Sequence, residues 1–329
     1  MDSVIIFSHE SDIDGIGCII LAKLAFKELH YVLAPNVEKL ELTFRDYLKS
    51  GKLEQYDKIF ITDLALYDPS LTIVAESSLK DKVFVFDHHK RAIEDKMNRY
   101  SFTTILEEDN TGKRCGTNLF YEFLLKNNYI KSTKSIEQFV ELTRLEDNWE
   151  WKNKGEFGIT AHDLAILFNC VGINEYINKM IELVTTNEDK FKLAIKDLDI
   201  INKKKEEYEK ALTTILSSAE YFVDDAGNNF GIVYSNYEYR NELPEFIIRI
   251  GNPKAIKYLI VVAMDKGEFG QKSYRSVEEF FDVNEIAMKH GGGGHPGAAC
   301  VNITKEQKEE ASTLPRRDAL EYLANSSYK

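Results

Sequence analysis

The sequence predicts a two-domain α/β protein, in which a doubly wound, mainly parallel sheet precedes a smaller α/β domain. The chain of 329 residues is longer than one hydrophobic core usually accommodates. Its first part alternates short apolar runs with amphipathic stretches, a pattern typical of buried parallel strands covered by helices. Residues 187–218 contain no Gly or Pro, which favours a connecting helix. We therefore predict a first domain over 1–185, a helical linker over 186–218 and a second domain over 219–329.

In the first domain, continuous apolar runs predict strands. They fall at residues 4–7, 31–33, 59–61, 83–86 and around 102–106. Helices are predicted where apolar residues recur every three or four positions, as Ile16, Ile20 and Leu24 do. The other helices predicted here lie at 40–47, after Pro69, and at 117–126, 139–145, 164–168 and 176–183.

The second domain repeats the alternation on a smaller scale. Strands are predicted at 232–234, 258–264 and 269–273, with turns at 224–229 and at Gly267. Helices are predicted at 244–250 and 282–290, and a glycine run follows at 291–294. This mixture indicates a second α/β unit with its own core.

Composition and charge exclude several functional classes. Hydrophobic residues make up 43% of the chain, which excludes a mainly disordered protein. A net charge of −12 argues against a protein that coats long DNA with a basic face. We expect neither a secretory signal nor a membrane span. The four cysteines are scattered without a CxxC pair, so a reducing cytoplasm is the expected compartment.

Polar residues cluster where three predicted strands end. The first strand runs into His9, Asp12 and Asp14, the strand at 59–61 ends at Asp63, and the strand at 83–86 ends at the sequence 87–89, Asp-His-His. Carboxyl ends of parallel strands share one edge of a sheet, where ligand sites form.

Crowded carboxylates repel one another unless cations neutralise them, so this edge predicts a site for two divalent metals. A mixed shell of His and Asp suits Mn²⁺ better than Mg²⁺, which remains the alternative. Individually, Asp14 or Asp63 could instead be a helix N-cap, and a His pair in a turn is often only solvated.

Two motifs give the chain a resemblance to a known family. The segment 9–15 reads HxxDxDG and precedes the Asp87-His88-His89 triplet, which resembles the DHH phosphoesterase superfamily. The later segment 291–299, GGGGHPGAA, is similar to the glycine-rich signature of the DHHA1 domain. Their order and separation resemble the bacterial oligoribonuclease (nano-RNase) type of DHH/DHHA1 protein, and the resemblance covers nearly the whole chain.

The resemblance implies roles for individual residues. It makes His9 and Asp12 ligands of a first metal, Asp14 and His88 ligands of a second metal, and Asp63 a bridge between the two. It places His89 at the reacting phosphate, with Asp87 orienting the histidines. A further carboxylate ligand is expected, and Asp147 is our choice over Glu146 and Asp163. One residue fewer separates His9 from Asp12 than in the commonest family spelling.

The glycine run predicts a phosphate-binding segment. Successive glycines let backbone N–H groups approach a phosphate closely and adopt positive φ, although four glycines alone also fit a plain flexible loop. Arg275 lies upstream at a predicted strand end and can grip a phosphate with its planar fork. The family resemblance makes Arg275, His295 and the amides of Gly292, Gly293 and Gly294 substrate-binding groups.

The resemblance implies a metal-dependent phosphodiesterase that cleaves short RNA or DNA oligonucleotides to nucleoside monophosphates by a two-metal-activated hydroxide. The cleft between the domains is expected to select short substrates. Alternatives are a cyclic- or linear-dinucleotide phosphodiesterase, a 3′-phosphoadenosine 5′-phosphate phosphatase, and a nucleotide- or RNA-binding module without catalysis. A homodimer is left open. Trp149 and Trp151 could stack on nucleobases, but the sequence favours a packing role for both.

Overall fold

The computed structural model describes residues 3–265, 268–278 and 281–327. The chain divides into two compact units, Met1–Lys204 and Lys205–Lys329. The mixed α/β architecture confirms the predicted fold class. In the described residues, no helix is long and apolar enough to cross a membrane.

The first unit is built on a five-stranded parallel sheet with the order β2-β1-β3-β4-β5. The strands are β1 (Ser3–His9), β2 (Glu28–Ala34), β3 (Lys58–Thr62), β4 (Val83–Asp87) and β5 (Thr103–Ile105), with the small antiparallel pair β6 (Glu108–Asp109) and β7 (Gly112–Lys113) outside this sheet. All five strands of the main sheet match predicted strands. The chain leaves β1 toward one edge of the sheet through β2, then returns to build the other edge from β3.

Helices cover both faces of this sheet, as a doubly wound fold requires. They are α1 (Ile13–Ala25), α2 (Val37–Lys49), α3 (Asp68–Ala75), α4 (Lys90–Glu94), α5 (Gly116–Lys126), α6 (Lys134–Asp147), α7 (Gly155–Val171) and α8 (Ile173–Thr186). Successive side chains of a strand point to opposite faces. Val4 and Ile6 of β1 therefore pack into one core, while Ile5 and Phe7 pack into another.

The second unit carries a six-stranded mixed sheet with the order β12-β13-β11-β10-β9-β8. Its strands are β8 (Glu220–Val223), β9 (Asn229–Asn236), β10 (Tyr258–Asp265), β11 (Glu268–Ser276), β12 (Gly293–His295) and β13 (Ala298–Asn302). Its helices are α10 (Glu242–Arg249), α11 (Val283–Lys289), α12 (Lys305–Thr313) and α13 (Arg316–Asn325). Only the β9–β10 pair is parallel among the described strand pairs of this sheet.

Several details differ from the predictions. The long helix α9 (Ile195–Ser217) begins only at Ile195, because Phe191 and Leu193 are buried and Phe191 N–H donates to Gln138 Oε1 at 2.8 Å. Tertiary packing here overrides local helix propensity. The glycine run is not a plain loop, since its end forms β12. The turn predicted at Gly267 lies outside the described residues.

Candidate active site

The candidate site lies where the connections diverge on either side of β1. His9 ends β1, Asp63 directly follows β3, and Asp87 ends β4. These strands are hydrogen-bonded neighbours. The edge at which strand order reverses is the usual ligand site of an open α/β sheet, and the sequence prediction of a shared edge agrees with this placement.

A first group of possible ligands consists of His9, Asp12 and Asp63. His9 Nδ1 lies 2.7 Å from Asp12 Oδ2 and 3.4 Å from Asp63 Oδ2. Asp12 is also the N-cap of α1, where its Oδ1 accepts a hydrogen bond of 3.1 Å from Gly15 N–H. The N-cap role holds one oxygen of Asp12 and leaves the other facing His9.

A second group consists of Asp14, His88 and Asp147. His88 Nε2 lies 3.8 Å from Asp14 Oδ2 and 3.5 Å from Asp147 Oδ2. Asp147 is the last residue of α6, so the structure brings our preferred candidate into this group. Of the alternatives, Glu146 has its Oε1 3.2 Å from His162 Nδ1, and among the described residues neither Glu146 nor Asp163 joins a possible metal-binding group.

Asp63 links the two groups through its two oxygens. Its Oδ2 faces His9, and its Oδ1 lies 3.4 Å from His88 Nε2. The residue is 1% exposed and has a left-handed backbone with φ of 58°. This conformation is uncommon outside glycine, and such backbone strain concentrates at functional sites. The Asp63 carboxylate is therefore placed so that each of its two oxygens faces one of the two groups.

Asp87 and His89 form a separate pair beside these groups. Asp87 Oδ1 lies 2.7 Å from His89 Nδ1 and also accepts hydrogen bonds from the N–H groups of His88 and His89. The carboxylate thus fixes both the turn after β4 and the orientation of the His89 ring. Ligand atoms of Asp63, Asp87, His88 and His89 also lie within 4.8 Å of one another, which keeps His89 within reach of a metal.

Several buried polar atoms at this edge lack a hydrogen-bond partner. They are His9 Nδ1, Asp63 Oδ2, His88 Nε2 and Asp147 Oδ2. Buried polar atoms are nearly always satisfied, so an unsatisfied set that converges on one place indicates a missing ligand. Imidazole nitrogens and carboxylate oxygens are donors that suit divalent transition metals. The residues present therefore fit a metal centre.

The electrostatics point to a cation as well. Burial alone would lower the pKa of His9, but the nearby carboxylates of Asp12 and Asp63 outweigh burial and raise that pKa to about 11. Burial raises the pKa of Asp63 and Asp147, and the charge of Asp14 raises both further. The site therefore holds more negative charge than its own histidines neutralise.

Asp14 is held by the start of α5, the helix predicted over 117–126. The sequence analysis did not predict that this helix contacts a candidate ligand. Its Oδ2 accepts a 2.6 Å hydrogen bond from Gly116 N–H, and its Oδ1 accepts a 2.8 Å bond from Thr117 N–H, both at the start of α5. A Cβ on Gly116 would lie 2.8 Å from Asp63 Cβ and 3.0 Å from Asp14 Oδ2. Only glycine lets α5 begin this close to two candidate ligands.

In the second unit, Arg275 lies on β11 and is 8% exposed. Its Nε donates to Asn241 Oδ1 at 3.1 Å, and its Nη1 donates to the Tyr274 carbonyl at 2.9 Å. Burial lowers the pKa of Arg240, and the charge of Arg275 lowers it further. Among the described residues, no carboxylate pairs with either guanidinium, so the two form a candidate anion site. Sequence analysis missed Arg240.

The glycine run has a structural explanation of its own. A Cβ on Gly292 would lie 2.1 Å from the Cys300 carbonyl oxygen, and one on Gly294 would lie 2.5 Å from the Ala298 oxygen. Both glycines therefore allow close approach to β13, whereas Gly293 has no such crowding. The side chain of His295 lies outside the described residues.

Comparison with known proteins agrees with this geometry. Residues 3–144 match the N-terminal domain of the DHH family. The chain is 32% identical over 310 residues to Bacillus subtilis oligoribonuclease NrnB, covering 92% of this chain and 74% of that protein. The chain belongs to the DHH family. It is thus a DHH-family phosphoesterase, a class of enzymes that depends on metal ions.

Two solved structures share the fold at low sequence identity. The DHH domain of a member of a ribosomal protein family aligns with 99% of this chain and 88% of its own, with a TM-score of 0.61 and 13% identity. A pGpG-specific phosphodiesterase, PggH from Vibrio cholerae, aligns with 98% of this chain and 99% of its own, with a TM-score of 0.52 and 14% identity.

Proposed function

We propose that this DHH-family protein is a phosphodiesterase that hydrolyses short oligonucleotides to nucleoside monophosphates. The observation that carries the proposal is the position of Asp63, whose two oxygens face two separate groups of histidine and aspartate ligands. A site with two adjoining metal positions is typical of enzymes that displace groups at phosphorus.

We assign the metal ligands as the sequence analysis does. The first ion would be held by His9 and Asp12, the second by Asp14, His88 and Asp147, and both by Asp63. The chemistry that two divalent ions supply in such a site is activation of a water molecule and neutralisation of charge on the reacting phosphate. The His and Asp donor set favours Mn²⁺, with Mg²⁺ as the alternative.

His89 would bind the reacting phosphate. Burial alone would lower the pKa of His89, but the hydrogen bond and charge of Asp87 outweigh burial and raise it. With Nδ1 held by Asp87, the opposite ring nitrogen remains to donate a hydrogen bond to a phosphate oxygen. A donor fixed in advance at the place where charge develops stabilises a transition state efficiently.

Short nucleic acids are the substrate class we propose. The support is the similarity to a protein named an oligoribonuclease and the candidate anion site at Arg240 and Arg275 in the second unit, which would bind a phosphate group. The net charge of −12 offers no broad basic surface for a long strand. A linear-dinucleotide phosphodiesterase is the second candidate, favoured by the fold it shares with a pGpG-specific enzyme.

A substrate panel tests the proposal. Single-stranded oligonucleotides from two to about 20 units, pGpG, cyclic dinucleotides and 3′-phosphoadenosine 5′-phosphate are incubated with Mn²⁺, Mg²⁺ or EDTA, and mononucleotide release is measured. We expect oligonucleotides of about two to five units to react far faster than long strands, on the scale of single-strand binding sites. Hydrolysis of pGpG alone would favour the second candidate. If the protein binds these nucleotides but hydrolyses none of them with Mn²⁺ or Mg²⁺, it is a nucleotide-binding module and not a phosphodiesterase.

A further inference from the structure

Trp149 occupies a backbone position that its side chain does not suit. Helix α6 ends at Asp147, Asn148 is its C-cap, and Trp149 follows with φ of 59° and ψ of 15°. The Trp149 N–H donates to the Glu146 carbonyl at 3.1 Å, a bond typical of a helix end closed by a left-handed residue. Gly or Asn normally fills this position, because a bulky side chain is strained there.

Within the described chain, the Trp149 indole makes little packing contact that would compensate for this strain. Its side chain is 51% exposed and belongs to none of the hydrophobic cores. Lys152 Nζ lies 5.0 Å from its ring centroid, a contact between two surface groups. Trp151 differs, since its ring stacks on His162 with centroids 4.2 Å apart. The packing role expected for both tryptophans therefore suits Trp151 and not Trp149.

Trp149 lines a cavity that three of the candidate metal ligands also line. This cavity has a volume of about 280 Å³, and the three ligands are Asp12, Asp14 and Asp147. Trp149 also lines it, together with Ala165, Phe168 and Asn169, which recur at helical spacing on one face of α7. One cavity thus combines carboxylates with an exposed indole, the largely buried ring of Phe168 and an exposed amide.

We propose that Trp149, Phe168 and Asn169 form a binding site for the nucleobase adjoining the reacting phosphate. The base stacks on the indole of Trp149, and the exposed amide of Asn169 is available to the polar edge of the base. Stacking on an aromatic side chain accepts every base, since each has a π-face. This inference rests on the proposed function, because a base enters the cavity only with a nucleotide substrate.

Fluorescence tests the site without catalysis. Trp149 and Trp151 are the two tryptophans of the chain, so Trp151→Phe leaves Trp149 as the only indole. We titrate that variant with AMP and, as the base-free control, with ribose 5-phosphate, both with Mg²⁺ present. AMP should quench the emission and ribose 5-phosphate should not. Equal responses to the two ligands, or the same quenching by AMP in Trp149→Phe, would overturn the assignment.

Kinetics provide the second test. Trp149→Gly removes the backbone strain, so its melting temperature should not fall, while KM for a dinucleotide should rise roughly 5- to 150-fold, as loss of one base–aromatic stack predicts. Trp149→Phe should keep KM near the wild-type value. Asn128→Gly is the matched control, because Asn128 is also left-handed with φ of 57° but does not line the cavity.

Dinucleotides that lack one base distinguish the loss of base stacking from a general loss of substrate binding. Removing the stacked base from the substrate should raise the wild-type KM, and Trp149→Gly should then add no further increase, since both changes delete the same contact. The proposal is contradicted if Trp149→Gly raises KM further with each of the two abasic dinucleotides, which lack either one base or the other. It is also contradicted if Trp149→Gly has the KM of the wild-type protein. If the wild-type protein hydrolyses no dinucleotide at all, the proposed function fails; a base-stacking failure instead leaves hydrolysis intact.

Discussion

The two units of the protein each crowd side chains of one charge, but of opposite sign. In the first unit, Asp14, Asp63 and Asp147 converge around His88, and burial together with repulsion raises the pKa of Asp63 and Asp147. In the second unit, Arg240 and Arg275 lie together without a carboxylate partner in the described chain. A protein rarely tolerates such crowding without a ligand of the opposite charge.

The two sites are built differently. The carboxylates of the first unit stand on turns and helix ends beyond parallel strands, held by backbone amides such as those of α5. Arg275 stands within β11, and carbonyl oxygens and Asn241 orient its guanidinium. The first arrangement leaves buried ligand atoms without hydrogen-bond partners, whereas in the second the Nε and Nη1 donors of Arg275 have partners within the chain. We therefore expect chemistry at the first site and affinity at the second.

The largest expected effect comes from Asp63→Asn. It removes the negative charge that both metal positions share and replaces one carboxylate oxygen with an amide nitrogen, while Asn tolerates the left-handed backbone of residue 63. Hydrolysis should fall by at least about 1000-fold, beyond the 10- to 100-fold typical of residues that only support a ligand. Metal content, measured by mass spectrometry after gel filtration, should fall with it.

The same substitution should stabilise the metal-free protein. In EDTA, a neutral amide at position 63 relieves the repulsion from Asp12 and Asp14, so the melting temperature should rise by a few degrees. Full hydrolysis by the wild-type protein in excess EDTA would contradict the metal-centre assignment itself.

His89→Ala should separate catalysis from metal binding within the first unit. Because His89 is assigned to the phosphate, kcat should fall by roughly 100- to 1000-fold, the usual loss when an electrostatic donor is removed. Metal content should stay near that of the wild-type protein. A variant purified without metal would make His89 a ligand, as its place among the possible metal-binding residues allows.

Arg240→Ala tests the site in the second unit. Losing a charge-assisted hydrogen bond of about 1.5–3 kcal/mol should raise KM for short oligonucleotides by roughly 10- to 100-fold and leave kcat nearly unchanged. Arg240→Lys should recover part of the affinity, because it keeps the charge and loses the planar fork. Arg249→Ala removes an exposed arginine paired with Glu209 in the same unit and is the control. A fall in kcat alone would move Arg240 to the reacting centre.

Lys272 differs from Arg240 and Arg275, because the hydrogen-bond donors of this buried cation of the second unit have carbonyl partners within the chain. Its Nζ donates to the Leu323 carbonyl at 2.8 Å and also to the Ser326 carbonyl. Burial lowers the pKa of Lys272 from 10.5 to about 8. Between those two pH values the unfolded chain binds more protons than the folded chain, so the free energy of unfolding rises with pH.

Relative to Lys272→Met, the wild-type protein should therefore gain about 3 kcal/mol in stability as pH rises from 8 to 10.5. Urea unfolding at several pH values measures this difference. Lys257→Met, which removes a partly exposed lysine paired with Glu278, should show no comparable trend. No change in substrate affinity is expected, because Lys272 donates to the C-terminal segment of the chain.

Much of the fold, and the clustering of the candidate ligands at one edge of the sheet, was readable from sequence. The strands of the first unit appear as uninterrupted apolar runs because the sheet is covered on both faces, and a parallel sheet brings their polar ends to one edge. That rule alone brought His9, Asp63 and His88 together. Asp147 was harder to choose over Glu146, since neighbouring residues at a helix end differ only in the direction of their side chains.

Other features depend on distances that no local pattern encodes. Gly116 holds Asp14 from 102 positions away in the chain, and the charges of Arg240 and Arg275 interact only once the turn before α10 lies against β11. Small β12 escaped prediction because its glycines resemble a loop until they pair with β13. Trp149 could not be recognised from sequence, because its strain is a property of φ and not of residue type.

The hydrogen bonds from α5 to Asp14 also determine when, during synthesis of the chain, the site can be completed. During synthesis, His9, Asp12, Asp14, Asp63 and the 87–89 turn all emerge before residue 116, and Asp147 emerges later still. A growing chain therefore presents most of its acidic groups to water, where their repulsion is screened, until the amides that hold Asp14 have been made. A chain that has not been synthesised past residue 117 therefore lacks the two amides that hold Asp14, and the complete cluster of ligands can form only with the C-terminal half of the first unit.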